Sequence, residues 1–379
     1  MLSIVRACIF AVLAILSFPI RLASLRRKNV SVDDTTIWPL LPIQKEMGHL
    51  LPVIEAFCSL AAILLRRRKL TARENTQRCY EQFFDPLCAD TNVWPDYTEG
   101  HYPTGMETYD QAKLNQFDYI FDKMQVKPGT KIMDIGCGNG NLLLRARERG
   151  CEPHGITVSR SQMQRCSAAG LHVKVCSFQS IPQVFAPGTF DYVVMNGPTE
   201  HFVTEEDVLA GRKRAIQDEI FHNACYLLKP GGRLFITCIH FRSEAEVART
   251  VESPLRSPVG STNFFYAVLV QLYSGWYPTV GEYDRASENN SLHLIFERDA
   301  TEDYYITSRI WGRKLRGFLA ENPKFRLRFA SRLFWNDPRY FFICFLYYYY
   351  DAWTWQFRPA PETPLIHRWL MFEKQHSKK

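Results

Sequence analysis

The chain has 379 residues and a formal net charge of +7, enough length for one large domain or two smaller ones. Residues 1–75 hold 11 Lys/Arg against 5 Asp/Glu, leaving 35 against 34 for the rest, so the basic excess belongs to the front end and a nucleic-acid-binding catalytic domain is not supported. Eleven cysteines, with no C-x-x-C pair and no zinc spacing, point to a reduced, cytosol-facing compartment and away from a disulfide framework or a metal site.

Two apolar runs open the chain. Ala7 to Ile20 is short for a membrane span, carries Pro19 near its end and is followed by Arg21, Arg26, Arg27 and Lys28. A signal peptide competes with the membrane reading, but no convincing small-x-small cleavage site follows. Leu50 to Leu65 carries Pro52 and Glu55 and runs into Arg66-Arg67-Arg68-Lys69. Both positive clusters follow their runs, so a two-span hairpin cannot satisfy the positive-inside rule, and one span plus one interfacial helix fits better. Two buried helices of a soluble cap are the other reading. The cluster at Arg66 places the remainder in the cytosol, on an endomembrane.

Residues 76–125 form an entry segment. It contains the loop Tyr97-Thr98-Glu99-Gly100-His101-Tyr102, then a helix over Glu107 to Met124 with apolar residues at helical spacing. Lys131 to Ile135 reads as a buried strand and Leu142 to Arg149 as a helix stopped by Gly150. Between them Gly136, Gly138 and Gly140 form a turn able to lay backbone N–H groups against a ligand at a helix N-terminus. The loop lacks the third glycine of a dinucleotide fingerprint and the Lys-Ser/Thr ending of a P-loop. Strands follow at His154–Val158, Val173–Cys176, Phe190–Met195 and Arg233–Ile239, with helices at Ser159–Ala169 and Ala215–Leu228. The alternation predicts a doubly wound parallel sheet, an α/β fold that binds ligand at the carboxyl ends of its strands, where Asp134, Thr157, Ser177 and Glu200 fall. Phe341 to Phe357 is strongly aromatic but interrupted by Asp351 and Gln356, as a core helix lining an apolar pocket would be.

The run Asp134-x-Gly136-x-Gly138-x-Gly140 resembles motif I of class I S-adenosylmethionine-dependent methyltransferases. With it stand Gly155-Ile156-Thr157-Val158-Ser159 and Gln162, Phe190-Asp191, Glu200-His201-Phe202, Gly275-Trp276-Tyr277-Pro278-Thr279, and Tyr304, Thr307 and Trp311 at their spacing. Tyr348-Tyr349 and Phe357-Arg358 close the set, which is similar over roughly residues 95–375 to the cyclopropane-fatty-acyl-phospholipid synthase family, including mycolic acid cyclopropane synthases. The His-Tyr-Asp entry motif of that family is not recognisable here, and its fungal sphingolipid methyltransferases carry hydrophobic N-terminal segments. The resemblance implies a Rossmann-like methyltransferase domain over 126–241, a helical entry over 76–125, a substrate cap over 242–379 and a membrane-associating region over 1–75.

It also implies residue roles. Asp134, Gly136, Gly138, Gly140, Thr157, Ser159, Gln162 and Phe178 would hold S-adenosylmethionine, although a core role for Phe178 is open too. Glu200, Ile239 and Tyr304 match three of the five positions with which cyclopropane synthases hold bicarbonate, while Glu99 stands at the cysteine position and Thr237 at the histidine position. A carboxylate beside Glu200 would repel an anion, which counts against bicarbonate as a cofactor and marks Glu99 as its replacement; an exposed loop carboxylate is the other reading. His201 is either a base or a structural residue orienting Glu200. The expected partners are a lipid or other apolar acceptor and a membrane surface, with a small-amine N-methyltransferase and a non-catalytic membrane scaffold as alternatives.

Overall fold

The computed structural model describes residues 48–379 apart from 89–90, 92, 94–96, 243–252, 359–364 and 376–379. The apolar run 7–20 lies outside the described residues.

Seven strands form one sheet in the order β3-β2-β1-β4-β5-β7-β6. β1 (Lys131–Ile135), β2 (Glu152–Thr157), β3 (His172–Val175), β4 (Phe190–Asn196) and β5 (Leu228–Phe241) run parallel, as expected. The last two strands were not expected. β6 (Leu292–Asp299) and β7 (Leu365–Lys374) come from the segment read as a separate cap, and β7 pairs antiparallel with both β5 and β6. Two strands of the region 242–379 are therefore built into the sheet, while its helices contribute Leu269, Tyr273, Tyr304, Trp311 and Trp353 to the cavity described below.

The helices that position the site are α1 (Leu51–Leu64), α2 (Ala72–Arg78), α3 (Tyr109–Met124), α4 (Asn141–Glu148), α5 (Arg160–Ala168), α6 (Lys213–Leu227), α7 (Thr262–Tyr273), α8 (Thr301–Glu321), α9 (Pro323–Asn336) and α10 (Pro338–Tyr349). α3 starts on a capping box between Thr108 and Gln111 and ends with Gln125 in the left-handed region. Its buried face, Phe117, Ile120, Phe121 and Met124, packs with Ile132, Val194 and Phe235 on one side of the sheet. α6 covers the other side through Ile220, Phe221, Ala224 and Leu227.

A second core lies beyond the strand ends. There α1, α7, α8, α9 and α10 pack around Phe264, Phe265, Tyr266, Tyr350 and Trp355. The Phe265 and Trp355 rings stack at 4.3 Å. α10 is the buried aromatic helix anticipated for 341–357. Of that stretch, however, only Trp353 lines the cavity described below.

The second apolar run forms α1, whose Leu51, Cys58 and Ala62 are buried while Phe57 stacks on Phe334 of α9. Its opposite face leaves Val53, Leu60, Ile63 and Leu64 exposed. No helix among the described residues is long and apolar enough to cross a membrane.

Candidate active site

The glycine turn divides its work. A Cβ on Gly136 (φ +84°) would lie 2.4 Å from Pro198 Cβ, and one on Gly140 (φ +81°) would lie 2.7 Å from Leu171 and 2.9 Å from the Cys166 thiol. Both glycines serve close packing. Gly140, expected to touch the cofactor, is not among the residues lining the cavity. Gly138 (φ +52°) has nothing within 4 Å of its would-be Cβ and opens onto the cavity.

At the end of β2, Thr157 Oγ1 donates to Gln162 Oε1 at 2.7 Å and Ser159 Oγ accepts from Gln162 N. Ser159 is thus the N-cap of α5, as read. The Gln162 side chain turns to Thr157 and does not close a capping box. Phe178 is buried and stacks on Phe202 at 4.3 Å. Asp134, Gly136, Gly138, Thr157, Ser159, Gln162 and Phe178 all line one cavity, which continues past Asn196 to an aromatic end holding Glu99, Glu200, His201, Tyr304 and Trp353.

Glu99 is not a solvated loop residue; it is 2 % exposed. Its loop is tied down on both sides. Gly100 N donates to Thr307 Oγ1 at 2.9 Å and Tyr102 N to Asp303 Oδ1 at 2.8 Å, so α8 holds the segment just after Glu99. On the other side the Thr98 hydroxyl joins Gln116 and Asn196, and Asn196 Oδ1 in turn accepts from Thr237. Glu99 Oε1 accepts from Trp369 Nε1 at 3.2 Å. Burial raises the Glu99 carboxyl to about 7, against the hydrogen bonds from Trp369, Thr237 and Gln116.

Glu200 sits in the turn after β4, where its Oε1 accepts from Ile239 N at 2.8 Å. Its backbone carbonyl accepts from Trp276 N at 2.9 Å. A Cβ on Gly275 would fall 2.1 Å from that same carbonyl oxygen, so the Gly275-Trp276 turn needs its glycine to approach. Burial, with the Glu99 charge adding to it, raises Glu200 to about 8 despite the Ile239 N–H. The two carboxyls therefore share one water-poor end of the cavity, and one of them holds a proton near neutrality.

Burial lowers the His201 ring to about 4, and its Nε2 lies 2.7 Å from the Tyr80 hydroxyl, which burial keeps protonated. His201 is accordingly a neutral ring hydrogen-bonded to Tyr80. The contacts that orient Glu200 come from Ile239 and the 275–276 turn and not from the His201 ring. Tyr304 is buried, stacks on Phe357 at 4.2 Å and meets the His367 ring edge-on at 4.8 Å. Its hydroxyl is pushed well up by burial and by the two carboxylates. His367 and Trp369, both contributed by the unexpected β7, escaped the sequence reading.

The sequence model of the mycolic acid cyclopropane synthetase family matches residues 68–327. The chain belongs to that family. Cyclopropane mycolic acid synthase 2 of Mycobacterium leprae is 24% identical over 219 residues, 55% of this chain and 68% of that protein. A probable fatty acid methyltransferase of Pseudomonas putida is 34% identical over 131 residues, 31% of this chain and 32% of that protein, so the chain spans about a third of that relative's length. The solved cyclopropane synthase MmaA2 from Mycobacterium tuberculosis superposes with a TM-score of 0.62 at 19% identity, covering 79% of this chain and 98% of that one, a likeness of fold. Within this cyclopropane synthetase framework the open backbone at Gly138, the Thr157–Gln162 pair and the Phe178 face fit S-adenosylmethionine. Bicarbonate does not fit: a second carboxyl, that of Glu99, already stands beside Glu200, where the anion would need a neutral or cationic neighbour.

Proposed function

We propose that this chain is an S-adenosylmethionine-dependent methyltransferase acting on a lipid or other apolar acceptor, with Glu99 as the proton acceptor. The observation that carries this reading is the single cavity that begins at the Gly138 backbone and ends at two buried carboxyls walled by aromatic rings. The donor supplies a methyl group on a sulfonium that keeps the electron pair when the methyl leaves. The chain's residues then have two tasks, to position the acceptor in line and to manage the positive charge it acquires.

If the acceptor is an alkene, its π pair forms the new C–C bond and the neighbouring carbon becomes cationic. The rings of Tyr304, Trp311 and Trp353 line that end and exclude water that would trap the cation, and an aromatic face turned to it would favour it by about 0.5–2 kcal/mol. Glu99 then takes a proton from carbon, and the C–H electron pair fills the cationic centre. A charge on Glu99 raises the Glu200 carboxyl, so an ionised Glu99 favours a protonated Glu200 beside it. Aromatic faces beside a carboxylate also suit a protonated amine, which sustains the N-methyltransferase alternative. Incubating the full chain with methyl-labelled S-adenosylmethionine and a total lipid extract tests the reading. Label is expected in the lipid phase with wild type and not with Glu99→Gln; label confined to a water-soluble amine would replace the lipid reading.

Location at a membrane surface belongs to the same proposal. The free face of α1 presents Val53, Leu60, Ile63 and Leu64 at helical spacing, 66%, 56%, 71% and 72% exposed, and Arg66, Arg67, Arg68 and Lys69 follow on the surface. An apolar stripe ending in four cations matches the cytosolic leaflet of an anionic bilayer. At 14 residues α1 is about 21 Å long, short of a hydrocarbon core of about 30 Å, so it would lie on the surface and not span it.

A further inference from the structure

Because β7 runs antiparallel to β5, its first residues lie beside the last residues of β5, at the cavity. His367 pairs with Ile239 and Trp369 with Thr237. Residues two apart on a strand share a face, and these two side chains converge on one carboxylate oxygen. Trp369 Nε1 donates to Glu99 Oε1 at 3.2 Å, and His367 Nε2 stands 3.5 Å from the same atom. The His367 ring is fully buried and lines the cavity, and among the described residues neither of its nitrogens has a hydrogen-bond partner. An aliphatic or phenyl side chain would fill that space without burying two unsatisfied nitrogens. The imidazole calls for a role that this state of the pocket does not exercise.

We propose that His367 is a positioning residue for Glu99: as the Nε2–H tautomer it donates to Glu99 Oε1 when that carboxylate ionises, and with Trp369 it favours the charged form of Glu99. The proposal rests on the methyltransferase reading in which Glu99 is the base. At 3.5 Å the two atoms stand just beyond a formed hydrogen bond.

The surrounding groups leave this role to a neutral ring. Burial holds His367 deprotonated down to about 3, with Asp303 of α8 opposing the shift and Arg298 of β6 adding to it. Asp303 is itself engaged by His101, Arg298 and the Tyr102 N–H. Facing Glu99 are Glu200, the Tyr304 hydroxyl and the neutral Thr237, Gln116 and Trp369. His367 is thus the one imidazole among the described residues placed against Glu99.

The test uses the full chain and two variants. His367→Phe keeps a ring and removes the donor, whereas His367→Gln keeps an N–H donor. Infrared difference spectra of wild type against Glu99→Gln, without acceptor, follow the protonated Glu99 carboxyl with pH. The midpoint should rise by about one pH unit in His367→Phe, a tenfold loss of ionised Glu99 on the acid side, and stay near wild type in His367→Gln. The acid limb of kcat/KM should move by the same amount while the high-pH plateau is largely kept. In wild type, nitrogen NMR of labelled histidine, assigned with the variants, should find the His367 proton on Nε2. An unchanged midpoint in His367→Phe, a Gln variant that behaves like Phe, or a proton on Nδ1 would overturn the proposal. The spectroscopic readings need no turnover, so they decide the role of His367 even if wild type methylates no lipid, the result that would sink the functional reading instead.

Discussion

Two carboxyls buried in one cavity cannot both be charged without cost, and that cost shows in stability as well as in rate. Glu99 and Glu200 keep their protons in the folded chain to about 7 and about 8, against 4.5 for the free side chain. The folded state therefore binds more protons than the unfolded one between these limits, and the associated stability is complete below about pH 4.5 and lost as pH rises through 7 and 8. Thermal unfolding without donor should show Tm falling over that window, with a shallower fall in Glu99→Gln. The same variant keeps size and hydrogen bonding but loses basicity, so turnover should drop by about a hundredfold or more while donor affinity, measured by calorimetry, barely changes. Gly138→Asp acts on the other half of the cavity. Its side chain meets nothing within 4 Å, so the fold should survive. It would place bulk and negative charge on the open backbone where the donor fits, and S-adenosylmethionine binding should fall below detection in a titration that wild type passes.

At the scale of elements, two contacts set the site and the location. The turn at Gly275 lies against the Glu200 carbonyl with no room for a methyl group. Gly275→Ala should push Glu200 off the Ile239 N–H, cutting turnover at least tenfold with little change in donor affinity; unchanged kinetics would mean the turn yields. α1 carries its own division of labour, one face packed on α9 and α10 and the other apolar face free. Replacing Leu60, Ile63 and Leu64 together by Ser leaves the packed face intact, so the protein should fold and bind donor yet no longer sediment with anionic phospholipid vesicles. If the triple variant sediments as wild type does, the anchor lies elsewhere, and residues 1–47 become the first candidate.

For the molecule as a whole, α1 is part of the second hydrophobic core, because Leu51 and Cys58 pack with residues of α9 and α10. Removing residues 1–47 spares α1 and should leave donor binding intact. Removing residues 1–70 should strip that packing and lower Tm by several degrees, an outcome read by calorimetry on the two truncated chains. Equal Tm values would show α1 to be dispensable to the fold.

The sequence by itself determined the parallel half of the sheet, the glycine turn and the cofactor end of the cavity. Each of these is local: a strand, its loop and the next helix are consecutive, and periodicity, caps and positive-φ glycines act over a few residues. Glu200 was legible because it follows its strand directly. Glu99 was legible only as a departure at a matched position; nothing local distinguishes it from a solvated loop carboxylate, and its burial comes from α8 and β7, about 200 and 270 residues away. The tertiary structure alone decided the last two strands. The rule that ligands meet the carboxyl ends of parallel strands looks past β7, which reverses direction and brings its first residues to that end. That reversal puts His367 and Trp369 on Glu99. It also builds two strands of the segment read as a cap into the sheet, since pairing over such separations depends on how chain elements meet and not on the residues beside them.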